Sequence, residues 1–343
     1  MTTASSRRAF LHAGVALALQ SAATLVRGSD AGKRAAIVHR LAKALRENYH
    51  DEAAAGRLAD AVLHNLDARA YDDASMPDQA FADRLTVDLR AIVDDKHMAV
   101  MSGMSGKEPD INIDPVFALR QNYGVQEVRR LSGNVGLIEL NYSPSLKLGD
   151  PLLQRYAAAM ALVADTRALI LDLRRHFGGD PPTIAYFLSY FFDRPAFVVN
   201  RIRYRPARLA EFSTTAHPRG KRYGEQRPLF VLTAPETFSG GEEIAYDLQA
   251  TQRARVVGEV TGGGANPNEA FELGDGFVAY VPNGAARNPI TGTNWERTGL
   301  QPDVKVAAAK ALDVALRLAL EAVLEQATDE AERQSIRDAL KAP

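Results

Sequence analysis

Three observations predict an α/β (α+β) fold with a helical N-terminal region. From Lys33 to about Asp94, apolar residues recur at helical spacing. From about Val128, short β-type runs alternate with helical stretches, the pattern of a buried sheet covered by helices. The chain closes on a further helical segment, Lys310 to Lys341. Of the 343 residues, 46% are hydrophobic and 24% charged, the balance of a soluble globular protein. A formal net charge of -1 argues against nucleic acid or an anionic membrane as a partner recruited by bulk charge. The absence of cysteine excludes disulfides, thiolate metal sites and a Cys nucleophile.

The first element is an address. Ser6-Arg7-Arg8-Ala9-Phe10-Leu11 followed by the weakly apolar run Ala13 to Val26 matches a twin-arginine export signal, with cleavage near Ala22 to Gly32. The run is about 14 residues, short of the roughly 20 that span a bilayer. Next come three helical faces: Ile37, Leu41 and Ala44-Leu45; Leu58, Val62 and Leu66; then Phe81, Leu85, Leu89 and Ile92. Tyr71 to Asp78, with Asp, Ser and Pro, is a loop. His39, His50 and His64 are expected at the surface or boundary of these helices.

Six stretches are expected as strands: Val135 to Leu140, Ala168 to Arg174, Phe197 to Ile202, Pro228 to Ala234, Arg255 to Glu259 and Phe277 to Val281. Pro151 to Val163, Pro182 to Phe192 and Gly240 to Ala250 are expected as helices. Arg203 to Arg227 is a long, basic connection containing Pro and Gly, of a length often functional in compact domains.

The richest segment is Pro235-Glu236-Thr237-Phe238-Ser239-Gly240-Gly241-Glu242-Glu243, between the strand Leu229 to Thr233 and a helix. A serine at such a junction sits beside the N–H groups that a helix leaves unpaired, and these favour developing negative charge. Ser239 with Glu242 is equally a capping box, Ser-x-x-Glu, and locally both readings stand. Asp172-Leu173-Arg174-Arg175-His176-Phe177-Gly178-Gly179-Asp180 closes another strand; its glycines are either a second oxyanion donor or a tight turn into the next helix. A nucleophilic serine needs a base. No lysine occurs between Lys221 and Lys305, so a downstream Ser–Lys dyad is excluded, and His97, His176 and His217 are the histidines outside the signal and helical region. Local pattern does not choose the carboxylate partner from 42 acidic residues. Gly262-Gly263-Gly264 lacks the Lys-Ser/Thr ending of a phosphate loop, and no metal-ligand spacing such as His-Glu-x-x-His occurs.

Five segments in order carry a resemblance. They are the helical region ending in Asp94-Asp95-Lys96-His97; Asp172-Leu173-Arg174 with Gly178-Gly179; Thr237-Phe238-Ser239-Gly240-Gly241-Glu242; Val257-Gly258-Glu259-Val260-Thr261-Gly262-Gly263; and Asn294-Trp295-Glu296-Arg297-Thr298-Gly299-Leu300-Gln301-Pro302-Asp303. With these the chain resembles the tail-specific (C-terminal processing) serine peptidase family, in the branch of interphotoreceptor retinoid-binding protein and tricorn protease. The resemblance implies a crotonase/ClpP-like core of ββα units under a helical N-terminal domain. It implies Ser239 as nucleophile, His97 as base, Glu296 as the carboxylate, and Gly240 with Gly178 or Gly179 as oxyanion-hole donors. It also implies peptide or protein-tail substrates and no metal or organic cofactor. The chain then divides into residues 1–30, the export signal; 33–95, the helical domain; and 96–343, the peptidase core with its C-terminal helix. Export to the periplasm, with the export machinery as a partner, completes the expectation.

Three departures qualify the likeness. His176 stands where members often have Asn, and Lys96 where tricorn-like members have Ser; Gly264, where the lysine-using branch has its base, agrees instead with a histidine base. The segment Val100 to Glu127 is too short for a PDZ domain, which needs roughly 80 residues. A rival reading is a carrier of an apolar ligand on the same fold, and a third is an esterase.

Overall fold

A computed structural model describes residues 31–73, 75–104 and 111–341. The export signal expected over residues 1–30 lies outside the described residues. The described chain forms two compact units: one from residues 31–94, 98–104 and 268–281, the other from 95–97, 111–267 and 282–341. No helix among the described residues is long and apolar enough to cross a membrane.

The first unit holds helices over 31–48, Glu52–Asp67 and Asp78–Val93. Asp51 caps the second by accepting from Ala54 N at 3.0 Å. The apolar faces read from the sequence meet as expected: Ile37, Leu41, Leu45, Leu58, Val62, Phe81, Leu85 and Leu89 are fully buried together. His39 and His64 are exposed. The unit does not end at residue 95, as the sequence suggested. It also takes in a three-stranded sheet, with Phe277–Pro282 between Ala99–Met101 and Asn268–Gly274. Leu273, Phe277, Ala279 and Val281 of this distant hairpin bury their side chains in the helical core. Apolar burial at about 25 cal/mol per Å² rewards that union whatever the sequence separation.

The second unit is built on a six-stranded sheet in the order Val304–Lys305, Arg255–Gly258, Leu229–Thr233, Ala168–Asp172, Val135–Leu140, Val125–Leu131. All neighbours are parallel except the last pair. Side chains alternate across a strand, so Leu169 and Leu171 face the helices Asp150–Val163, Pro181–Leu188 and Gly240–Ala250, while Ala168 and Ile170 face Ala308–Gln326. Burial on both faces explains why these strands are near-continuous apolar runs in the sequence. A smaller antiparallel sheet places Val198–Tyr204 between Gly284–Arg287 and Arg208–Ser213.

Two expectations are corrected. The connection Arg203 to Arg227 contains the strand Arg208–Ser213, which pairs with Val198–Tyr204. The C-terminal segment is two helices, Ala308–Gln326 and Glu330–Lys341. The chain turns extended at Ala327, and Asp329 accepts from Glu332 N at 2.8 Å to start the second.

Candidate active site

The strands Ala168–Asp172 and Leu229–Thr233 are parallel neighbours, so the turns that leave their carboxyl ends lie side by side. Two bonds tie these turns: Thr237 Oγ1 donates to Leu173 O at 2.8 Å, and Phe238 N to His176 O at 2.9 Å. Ser239 then opens the helix Gly240–Ala250 with φ 52° and ψ -117°. An ordinary N-cap residue is extended, and a non-glycine residue at positive φ costs about 1–3 kcal/mol that its surroundings must hold in place. The surroundings here are specific. Glu242 Oε2 accepts from Ser239 N at 2.8 Å, the glutamate half of the expected capping box. Gly262 N donates to Thr237 O at 2.9 Å.

The two glycine turns converge on the serine. The Cβ position of Gly178 lies 3.4 Å from Ser239 Oγ, and that of Gly240 lies 3.0 Å from the Gly179 nitrogen. At Gly179 (φ 146°) a real Cβ would stand 2.1 Å from Ser143 O, so only glycine fits. The two glycines read together as oxyanion donors are not equivalent. Gly178 N already donates to His176 Nδ1 at 3.3 Å. Among the described residues no group accepts from Gly179 N or Gly240 N, so both N–H groups are free to take an acceptor.

His176 is fully buried, and burial pushes its pKa down to about 3, so it is neutral. Its Nδ1 accepts, which assigns the proton to Nε2, 3.1 Å from Ser143 Oγ. The histidine that departs from the family's asparagine is thus a neutral strut between Ser143 and the glycine turn.

His97 belongs to the same unit as Ser239 and Glu296. Its ring lies on Phe238, the residue before Ser239, with centroids 4.7 Å apart. Donor atoms of Asp95, His97 and Glu296 lie within 4.8 Å of one another. Glu296 Oε2 accepts from Ala265 N at 2.6 Å and Asn266 N at 3.2 Å, while Oε1 is buried without a hydrogen-bond partner. Burial first, then the Asp95 charge, push the Glu296 carboxyl up to about 7. Trp295 Nε1 anchors this loop on Gly264 O at 2.8 Å. The same three donor groups have the chemistry of a cation ligand set. Both Asp95 oxygens are already committed, to His97 N and to Asn266 Nδ2, each at 3.0 Å. Gly264 shows why no lysine stands there: its Cβ position is 2.3 Å from Phe238 Cζ and 2.8 Å from His97 Cε1. The histidine and its aromatic neighbour fill the space a side chain at 264 would need.

Two contributors escaped the sequence reading. Asp95 sits two residues before His97, and only its place in Asp94-Asp95-Lys96-His97 marked it. Glu242 was signalled merely as a cap. It is fully buried and also accepts from Thr261 Oγ1 at 2.5 Å, Gly263 N at 2.6 Å and Gly264 N at 2.9 Å, tying the glycine loop to the serine's helix. Lys96 Nζ donates to Gly262 O of that loop.

The model of peptidase family S41 matches residues 134–306, which include Ser239, Glu296 and both glycine turns but not His97. Among solved structures, the chain is similar to a candidate peptidase from Parabacteroides merdae ATCC 43184, at 17% identity over 84% of this chain and 96% of that one, with a TM-score of 0.59. A lipoprotein from Streptococcus agalactiae is similar at 16% identity, with the same coverages and a TM-score of 0.54. Tricorn protease is similar at 15% identity over 82% of this chain and 36% of its own length, with a TM-score of 0.54. At these identities the likeness is one of fold.

Proposed function

This chain belongs to peptidase family S41, and from that premise we propose that it is an exported peptidase that hydrolyses peptides or protein tails through Ser239, His97 and Glu296. One observation carries the assignment of roles. The His97 ring rests on Phe238 beside Ser239, with the Glu296 carboxylate within 4.8 Å of its donor atoms. His97 takes the Ser239 proton as Oγ attacks a peptide carbonyl carbon. The N–H groups of Gly240 and Gly179 hold the oxyanion. The imidazolium then gives its proton to the leaving amine, and water, deprotonated by the same imidazole, releases the acyl group from Ser239. Glu296 holds the imidazole in register and balances its charge.

The strained backbone of Ser239 supports the nucleophile over a simple cap, because a cap has no use for φ 52°. A fluorophosphonate probe should label the wild type and not Ser239→Ala. Labelling that survives the substitution rejects the nucleophile. Absence of labelling in both, with an apolar ligand retained on purification, supports the carrier reading instead. Export through the twin-arginine pattern rests on Arg7-Arg8. Replacing both with Lys should strand the precursor inside the cell; unimpaired export of that variant rejects the route.

A further inference from the structure

The small antiparallel sheet of the second unit carries charge in an unusual arrangement. In its register Arg201 lies directly opposite Arg287 on one side and Glu211 on the other, while Arg203 lies opposite Ala285 and Leu209. Residues two apart share a face of a strand, so Arg201, Arg203 and Arg287 stand on one face. Like charges directly opposite are unfavourable in a strand pair. A fold that keeps three guanidiniums together has a use for the field they make.

These arginines line a cavity of about 740 Å³, and no carboxylate is among the residues that line it. Only Arg201 of the three has an ion pair among the described residues, with Glu211 Oε1 at 2.7 Å. Arg287 Nε donates to Gly292 O at 2.7 Å, which braces the side chain without neutralising it. Arg203 is exposed. The cavity therefore has unbalanced positive charge on a braced wall.

The wall is shared with the candidate active site. Asn294 lines the cavity; its Nδ2 donates to Ala286 O at 2.7 Å, and its Oδ1 accepts from Glu296 N at 2.9 Å. The opposite face of the same sheet, through Ile202 and Ala286, packs on Trp295. The arginine face and the loop that presents Glu296 are one piece of structure.

We propose that this cavity is a substrate subsite for a carboxylate, held by Arg203 and Arg287. It confers a preference for peptides that carry an acidic group within reach of the loop that presents Glu296. The proposal rests on the peptidase reading above. Two sources share this chemistry, an Asp or Glu side chain and the free C-terminus of the peptide. Paired guanidinium–carboxylate bonds give such a subsite both attraction and direction.

The test uses the full chain and four peptides of one sequence: acidic or amide side chains, each with a free or amidated C-terminus. The acidic peptide should show a kcat/KM about tenfold above its neutral counterpart, the worth of one good charge-assisted contact. In Arg203→Gln/Arg287→Gln the preference should vanish through a raised KM for the acidic peptide. Loss of the preference on side-chain amidation assigns the side chain as its source, and loss on C-terminal amidation assigns the terminus. Arg203→Glu, a single exposed change, sets a carboxylate beside Arg287 and should abolish the preference, whereas Arg203→Lys should retain part of it, a charge dependence that a merely structural role would not show. Wild type indifferent to all four peptides, or a preference that survives the double variant, overturns the subsite. Anisotropy of the labelled acidic and neutral peptides on Ser239→Ala reads the subsite directly. Equal binding there rejects it, whereas selective binding without hydrolysis or labelling of the wild type faults the peptidase reading alone.

Discussion

The two sides of the helix Gly240–Ala250 treat adjacent glutamates in opposite ways. On the side of the glycine loop, Glu242 is buried and saturated, with four donors from Ser239, Thr261, Gly263 and Gly264. On the side of the small sheet, Glu243 is buried with Oε1 unpartnered. Near it, Asp247 keeps one bond, from Asn288 Nδ2 at 2.8 Å, and both amide atoms of Asn200 are buried without partners. Burial raises both glutamates, but hydrogen bonds pull Glu242 back, while Glu243 rises to about 8. Burial alone therefore does not define a carboxylate's role. Donors that favour the anion make a structural clamp, and their absence makes a proton-holding group.

The strongest way to break the contrast is Glu242→Gln. The amide turns donors toward backbone donors and leaves buried N–H groups unpaired, at a cost of about 3 kcal/mol. It should also release the Ser239 backbone from its strained conformation. Urea unfolding should show the lost stability, and the probe-labelling rate should fall by about a hundredfold or more, an electrostatic penalty of the size seen when oxyanion donors are lost. Retention of both would show that Glu242 is an ordinary cap.

The converse change, Glu243→Gln, should stabilise the protein at alkaline pH. A carboxyl whose folded pKa is about 8 against an ordinary 4.5 keeps its proton in the native state while the unfolded chain releases it. Wild-type stability therefore falls as pH rises across that interval; buried Asp247, also raised, adds to the fall, and the glutamine variant lacks only the Glu243 share. The gap should be smallest below pH 4.5, widen as pH rises toward 8, and then level off. Denaturant midpoints across this range measure it. A pH-independent gap would mean that Glu243 is not a proton holder.

Glu296 lies between these extremes, with two backbone donors on one oxygen and none on the other, and is raised to about 7. If the proposed triad operates, peptidase activity should decline as pH falls through 7, since a protonated Glu296 does not balance an imidazolium. Asp95→Asn removes a negative neighbour, so the Glu296 pKa falls and this acid limb moves to lower pH, by about one unit, the scale of a single nearby charge. The pH profile of kcat/KM tests the shift. An unmoved limb would assign it to another group.

Much of the fold is visible in residue pattern. Val135–Leu140 and Gly240–Ala250 have the bounds the sequence suggests, because a doubly buried strand and a junction helix impose strong local composition. Arg208–Ser213 and Asn268–Gly274 escape notice because they are largely exposed, with charged residues among the apolar ones, and so lack the continuous apolar run of a buried strand. At the site, Ser239 and its glycines stand out at a strand–helix junction. His97 was one of three candidate bases and Glu296 one of 42 acidic residues until the family resemblance singled them out, since nothing near either in the chain indicates a distant partner.

The strand–helix alternation of the buried sheet, the serine junction, the exclusion of a downstream lysine base and the absence of thiol chemistry were therefore determined by sequence alone. Each is a property of a window of residues or of a count. Tertiary structure decided the rest. It brought residues 95–97 onto the unit of Ser239 and Glu296, closed position 264 to any side chain, and gave Gly178 N–H to His176 so that Gly179 is left free. It also set Arg201 opposite Arg287. Local periodicity encodes the elements, whereas strand register and loop closure, set by burial across the whole unit, decide which distant side chains meet.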